Sequence, residues 1–172
     1  MSKKVAAILT DLFEDSEFFS PKEELENAGF EVESIGFEPQ ETIKSKNGVE
    51  YKIGKGISDA DPSDYDALLI AGGYSPDKLR KDERFLTFTQ AFSDKKKPIF
   101  VICHGPQVLI NAKVIKGKKV TSAPQVAVDL ENAGAQFEDK EVVYDESGLI
   151  SSRGPDDLPA FNKAIIQALK DV

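Results

Sequence analysis

Cysteine and histidine each occur once in the 172 residues, side by side as Cys103 and His104, and tryptophan does not occur. A single thiol forms no intrachain disulfide. One thiol and one imidazole leave no structural zinc site of the usual kind. No stretch approaches the roughly 20 apolar residues of a membrane span. The apolar run after Met1-Ser2-Lys3-Lys4 is about five residues long, short of a secretory h-region. Positive charge is also scarce: 22 Lys and Arg stand against 30 Asp and Glu, for a net charge of −8. That balance argues against nucleic acid or an anionic membrane as partner. The basic cluster Lys95-Lys96-Lys97 reads as the solvated end of a helix. The expectation is one domain over residues 1–172, in a reduced cytoplasmic compartment, with no metal and no cofactor.

What is present has the period of an alternating fold. Val5 to Leu9, Ala67 to Ile70 and Pro98 to Ile102 are short continuous apolar runs, the pattern of strands buried on both faces. Phe30 to Ile35 reads as a further strand. Asn47-Gly48, between Thr42–Lys46 and Val49–Ile53, signals a hairpin that forms an exposed excursion. Helices are expected around Pro21 to Ala28, with Gly29 as the stop, and over Arg84 to Lys95, where Phe85, Phe88 and Phe92 share one face. Further helices are expected over Gly105 to Ala112, Gln125 to Ala133 and Asp157 to Lys170. Val120-Thr121 reads as a short strand, and Glu141–Tyr144 and Gly148–Ser151 flank a turn. Strands alternating with amphipathic helices predict an α/β sandwich, a mostly parallel central sheet with helices on both faces.

Ligands of such sheets bind beyond the carboxyl ends of the strands. Three features fall there: the acidic stretch Asp11 to Glu17, the pair Gly72-Gly73, and Cys103-His104. Cys103 sits where a buried strand runs into a helix, a partial match to a nucleophile elbow, with Gly105 after it and Val101 where the elbow pattern has its first glycine. A helix N-terminus there favours thiolate; a buried core cysteine is the other reading. Gly72-Gly73 either makes a tight turn needing positive φ or offers N–H groups that join that of His104 around an oxyanion. Glu14, Asp15 and Glu17 are either a solvated loop or a source of one carboxyl that reaches Cys103. Neighbouring side chains at a sharp turn often point apart, so His104 is an awkward base for its own Cys103.

These residues resemble the DJ-1/PfpI superfamily, and within it the PfpI-like branch of small bacterial and archaeal stress proteins. The resemblance is carried by Phe13-Glu14-Asp15-Ser16-Glu17, Leu69 through Asp77, Ile102-Cys103-His104-Gly105-Pro106-Gln107, Lys116 through Ser122 and Ser151 through Leu158. It implies a flavodoxin-like fold and a homodimer or higher assembly. It implies Cys103 as nucleophile, Glu17 as the carboxyl that tunes it, and the N–H groups of Gly73 and His104 at the oxyanion. Asp77 stands where the PfpI-like peptidases carry a glutamate that reaches the histidine of a neighbouring subunit, and Ala123 where relatives often place a tyrosine. Family members are described as cysteine peptidases, chaperones, cofactor-free glyoxalases, deglycases of methylglyoxal adducts and redox sensors. A thiolate beside a protonatable Glu17 suits attack on an α-oxoaldehyde or a glycated protein, with no cofactor. Peptide hydrolysis needs His104 to be aligned by Asp77. A sensor or holding chaperone that oxidises Cys103 is the non-enzymatic alternative.

Overall fold

In a computed structural model, described for residues 2–172, the chain alternates as its apolar runs predict. In order it forms β1 (Lys4–Ile8), α1 (Asp15–Asn27), β2 (Glu31–Gly36), β3 (Thr42–Lys44), β4 (Glu50–Lys52) and β5 (Lys55–Gly56). It continues through β6 (Ala67–Ile70), α2 (Ser75–Leu79), α3 (Glu83–Asp94), β7 (Ile99–Ile102), α4 (Pro106–Asn111), β8 (Lys119–Val120) and α5 (Ala127–Asn132). It ends with β9 (Gln136–Phe137), β10 (Val143–Tyr144), β11 (Leu149–Ser152) and α6 (Leu158–Asp171). The central sheet has the order β10-β11-β7-β6-β1-β2-β5. All its pairings are parallel except that of the edge strand β10, which runs antiparallel to β11.

Side chains alternate across a strand, so each central strand feeds two cores. Ala6, Ile8, Leu68, Ile70 and Val101 pack against Phe85, Phe88 and Phe92 of α3 and Val108 and Leu109 of α4. Val5, Ala7, Leu69, Phe100 and Ile102 pack against Phe18 and Leu25 of α1 and Phe161, Ile165 and Leu169 of α6. This is the expected flavodoxin-like α/β fold, helices on both faces. No helix among the described residues is long and apolar enough to cross a membrane.

Several boundaries differ from expectation. α1 begins at Asp15, so Pro21 lies inside the helix and Glu17 in its first turn, not in a loop. Proline at position 21 lacks the N–H that would bond the Glu17 carbonyl, and burial of Phe18, Pro21 and Leu25 holds the helix through that gap. The Gln125–Ala133 segment splits into a 3₁₀ turn, Pro124–Val126, and α5. The hairpin β3–β4 forms, but it is not an excursion. Ile43 and Ile53 are buried, and its tip lies over the loop after β1.

Candidate active site

β7, β6 and β1 are adjacent at the centre of the sheet, and their carboxyl ends carry Cys103, Gly72-Gly73 and the loop leading to Glu17. The chain turns from β1 to β2 on one side and returns to β6 on the other, so this is also the switch point where such sheets bind ligands.

Cys103 follows β7 directly and has φ of 62°, a left-handed conformation unusual for a residue with a side chain. The turn is fixed from three sides. The Cys103 N–H donates to Ser152 O at 3.0 Å, Ala123 N–H donates to Cys103 O at 3.0 Å, and Gly105 N–H donates to Ile102 O at 2.9 Å. A Cβ on Gly105 would lie 2.6 Å from Ile70 O, so only glycine lets the turn close against β6. Such strain persists where the surroundings over-determine it, as at an exposed nucleophile.

The diglycine turn is zipped to the loop after β1. Tyr74 N–H donates to Leu12 O at 2.9 Å, and Glu14 N–H to Gly72 O at 3.2 Å. Gly73 has φ of 77°, and a Cβ there would lie 2.5 Å from both Leu12 O and Glu14 N. The turn reading of the pair holds, since Gly73 needs positive φ; its N–H also faces the cysteine sulfur, as does that of His104. Gly72 is where the parts meet. A Cβ on it would lie 2.3 Å from Glu17 Oε1, 2.8 Å from Cys103 Cβ and 3.1 Å from His104 N.

Glu17 is fully buried, and its Oε1 accepts a hydrogen bond from Gly72 N–H at 2.9 Å. Its Oε2 is buried with no partner at hydrogen-bond distance among the described residues, while the Cys103 thiol is near enough to couple to its protonation. Burial pushes the Glu17 carboxyl up to about 8, outweighing the Gly72 N–H that favours its charged form. Burial, with the Glu17 charge second, pushes the Cys103 thiol up to about 12, against the pull of the His104 and Gly73 N–H groups. The expected lowering of the thiol by a helix N-terminus is thus corrected. Cys103 precedes α4, which is only six residues long, and burial beside a carboxyl dominates. Each negative charge opposes the other, so near neutral pH the pair carries one at most.

His104 is half-buried. Burial, then the Lys46 charge, lowers its pKa, leaving a neutral imidazole. Asp77 lies on α2, mostly exposed, with its Oδ1 3.8 Å from Arg80 Nη1. Within one chain Asp77 forms no hydrogen bond to His104 among the described residues. Ala123 is buried behind Cys103, and Gln125 and Pro155 help to wall the cavity. That cavity is about 420 Å³ and is also lined by Glu14, Glu17, Cys103, His104 and Lys46. A larger groove of about 550 Å³ between α1 and α6 shares no residue with it and contains neither the cysteine nor the histidine. Sequence reasoning missed Lys46. The Asn47-Gly48 turn was the available signal for a hairpin, but not for which loop it would cover.

The DJ-1/PfpI family model matches residues 3–168. Protein/nucleic acid deglycase 2 of Escherichia coli (strain K12) is 51% identical over 98% of this chain and 99% of its own length. General stress protein 18 of Bacillus subtilis (strain 168) is 50% identical over 99% of both chains. A solved two-domain protein from Anabaena variabilis, with DJ-1/ThiJ/PfpI-like and ferritin-like domains, superposes with a TM-score of 0.95 at 37% identity. It does so over 98% of this chain, which spans 48% of that longer one. Drosophila melanogaster DJ-1beta superposes with a TM-score of 0.89 at 26% identity, over 99% of this chain and 95% of its own. A shared sheet order alone would leave the family open, but identity of about half from end to end does not: the chain belongs to the DJ-1/PfpI family.

Proposed function

We propose that this protein is a cysteine-dependent stress-response enzyme that processes reactive carbonyls, methylglyoxal or its protein adducts, without a cofactor. The observation that carries this reading is the Glu17 carboxyl, fully buried beside Cys103 in the same cavity and held by Gly72 N–H, where burial favours its protonated form. The name of the Escherichia coli relative supports the same class of chemistry.

The reacting form is the singly charged pair, thiolate with neutral carboxyl. The Cys103 sulfur adds to the aldehyde carbon, and Glu17 gives its proton to the carbonyl oxygen, forming a hemithioacetal. The N–H groups of Gly73 and His104 offset the charge that develops on oxygen. The Glu17 carboxylate then takes the proton from the aldehyde carbon and returns it to the neighbouring carbon, while the hydroxyl proton passes between the two oxygens. A thioester results. Water cleaves it to the hydroxy acid, freeing the Cys103 thiol, and a proton then passes from that thiol to the Glu17 carboxylate to restore the reacting form.

PfpI-type peptide hydrolysis ranks second because it needs an imidazole aligned to protonate a leaving amine. Asp77 lies by Arg80 within its own chain, so that activity needs a second subunit to complete the site.

The test is lactate formation from methylglyoxal with no added cofactor, for wild type and Cys103→Ala. Turnover that disappears in the variant is expected. A folded, reduced wild type with no turnover would overturn the reading and turn attention to peroxide modification of Cys103.

A further inference from the structure

Lys46 is the one Lys or Arg among the residues lining the cysteine cavity. Its position is built by a chain of hydrogen bonds between the hairpin tip and the loop after β1. Leu12 N–H donates to Lys44 O at 2.7 Å, and Lys46 N–H donates to Phe13 O at 2.9 Å. Asp11 Oδ1 accepts from Lys44 N–H at 2.9 Å. Asp15, the first residue of α1, accepts from Ser45 Oγ at 2.7 Å and from Asn47 Nδ2 at 3.1 Å. The tip is thereby pinned to the same helix that carries Glu17.

The pinned ammonium group is only loosely used. Lys46 Nζ lies 3.4 Å from Glu14 Oε1, and the lysine side chain is 41% exposed. A single contact in such a setting contributes little and gives way to a better-placed anion. Across the cavity, Glu17 is neutral at neutral pH, and His104 is neutral too. Glu14 is therefore the one carboxylate that competes for Lys46 in the cavity. An anionic group drawn to Lys46 meets at most the one negative charge of the Glu17–Cys103 pair, in a cavity where the Lys46 charge also acts on Glu17 and His104.

We propose that Lys46 makes this cavity selective for dicarbonyl substrates that also bear an anionic group outside the two reacting carbons. The proposal rests on the carbonyl-processing reading for the reaction itself, but its test does not use turnover. Iodoacetate and iodoacetamide are of similar size and alkylate by the same displacement. The Cys103 sulfur bonds the methylene carbon, iodide leaves, and the thiol proton goes to solvent. Only iodoacetate is anionic, and changes in thiol ionisation cancel in the ratio of the two rates. At fixed pH and low salt, Lys46→Met is expected to lower the iodoacetate-to-iodoacetamide ratio about fivefold, the worth of a partly exposed charge pair. Lys46→Arg should retain the ratio, and Glu14→Gln should raise it. A ratio that Lys46→Met leaves unchanged, or that Lys46→Met and Glu14→Gln move in the same direction, overturns the proposal. Absence of methylglyoxal turnover would overturn the reaction instead and leave the ratio to be judged alone.

Discussion

Glu17 has the least ordinary environment of any carboxyl in the chain. Burial keeps a proton on it in the folded protein up to about pH 8, whereas an ordinary glutamate releases it near 4.5. Below pH 4.5 both states bind the proton and the group costs nothing. Between pH 4.5 and 8 the unfolded chain has released the proton and the native state has not, so stability falls as pH rises, then levels off. The slope from this residue is at most about 1.4 kcal/mol for each pH unit. Denaturant unfolding from pH 5 to pH 8 should therefore show a decline in wild type that flattens in Glu17→Gln. Equal slopes would mean that Glu17 is charged when folded. The same variant keeps the size of the side chain but has no proton to shuttle, so methylglyoxal turnover should fall by about 10²- to 10⁴-fold.

At the scale of elements, the site depends on turns as much as on the strands they end. Gly72→Ala would set a methyl group 2.3 Å from Glu17 Oε1 and 2.8 Å from Cys103 Cβ. It should cost about 1–3 kcal/mol of stability, as overpacking does, and abolish turnover. A thermal midpoint and an activity assay of that variant read both effects, and retained turnover would show that the turn has more room. The apolar runs of β1, β6 and β7 made the sheet and its active edge legible, because continuous burial leaves a continuous hydrophobic signature. Cys103, His104 and Gly73 were legible for the same reason: they end those runs. Glu17 was named from resemblance, while its place in the first turn of α1 was obscured by Pro21, which mimics a helix start. The short strands β5 and β9 and the helix α2 carry too few residues for a period to show. Lys46 was illegible because contact between the hairpin tip and the loop after β1 is long-range, made by Asp11 and Asp15.

The central sheet presents the carboxyl ends of its strands to chemistry, and that edge also carries exposed apolar surface. Tyr74 is 62% exposed at the cavity rim, and Leu12, whose carbonyl it bonds, is 40% exposed. We propose that chains of this protein associate, as the family resemblance implies, with the Asp77 of one chain meeting the His104 of the next. Two inactive variants, His104→Ala and Asp77→Ala, should then regain peptidase activity when unfolded and refolded together, because each mixed pair assembles one complete site. Sedimentation at monomer mass would contradict the association. Failure of the mixture to recover activity would contradict the shared site.

The coupled pair of Glu17 and Cys103 is the centre of the account, and the pH dependence of Cys103 alkylation by iodoacetamide tests it most directly. Wild type should show a step near pH 8, where the pair loses its first proton, and Glu17→Gln should lack that step. Identical profiles in the two proteins would show that the carboxyl does not govern the thiol.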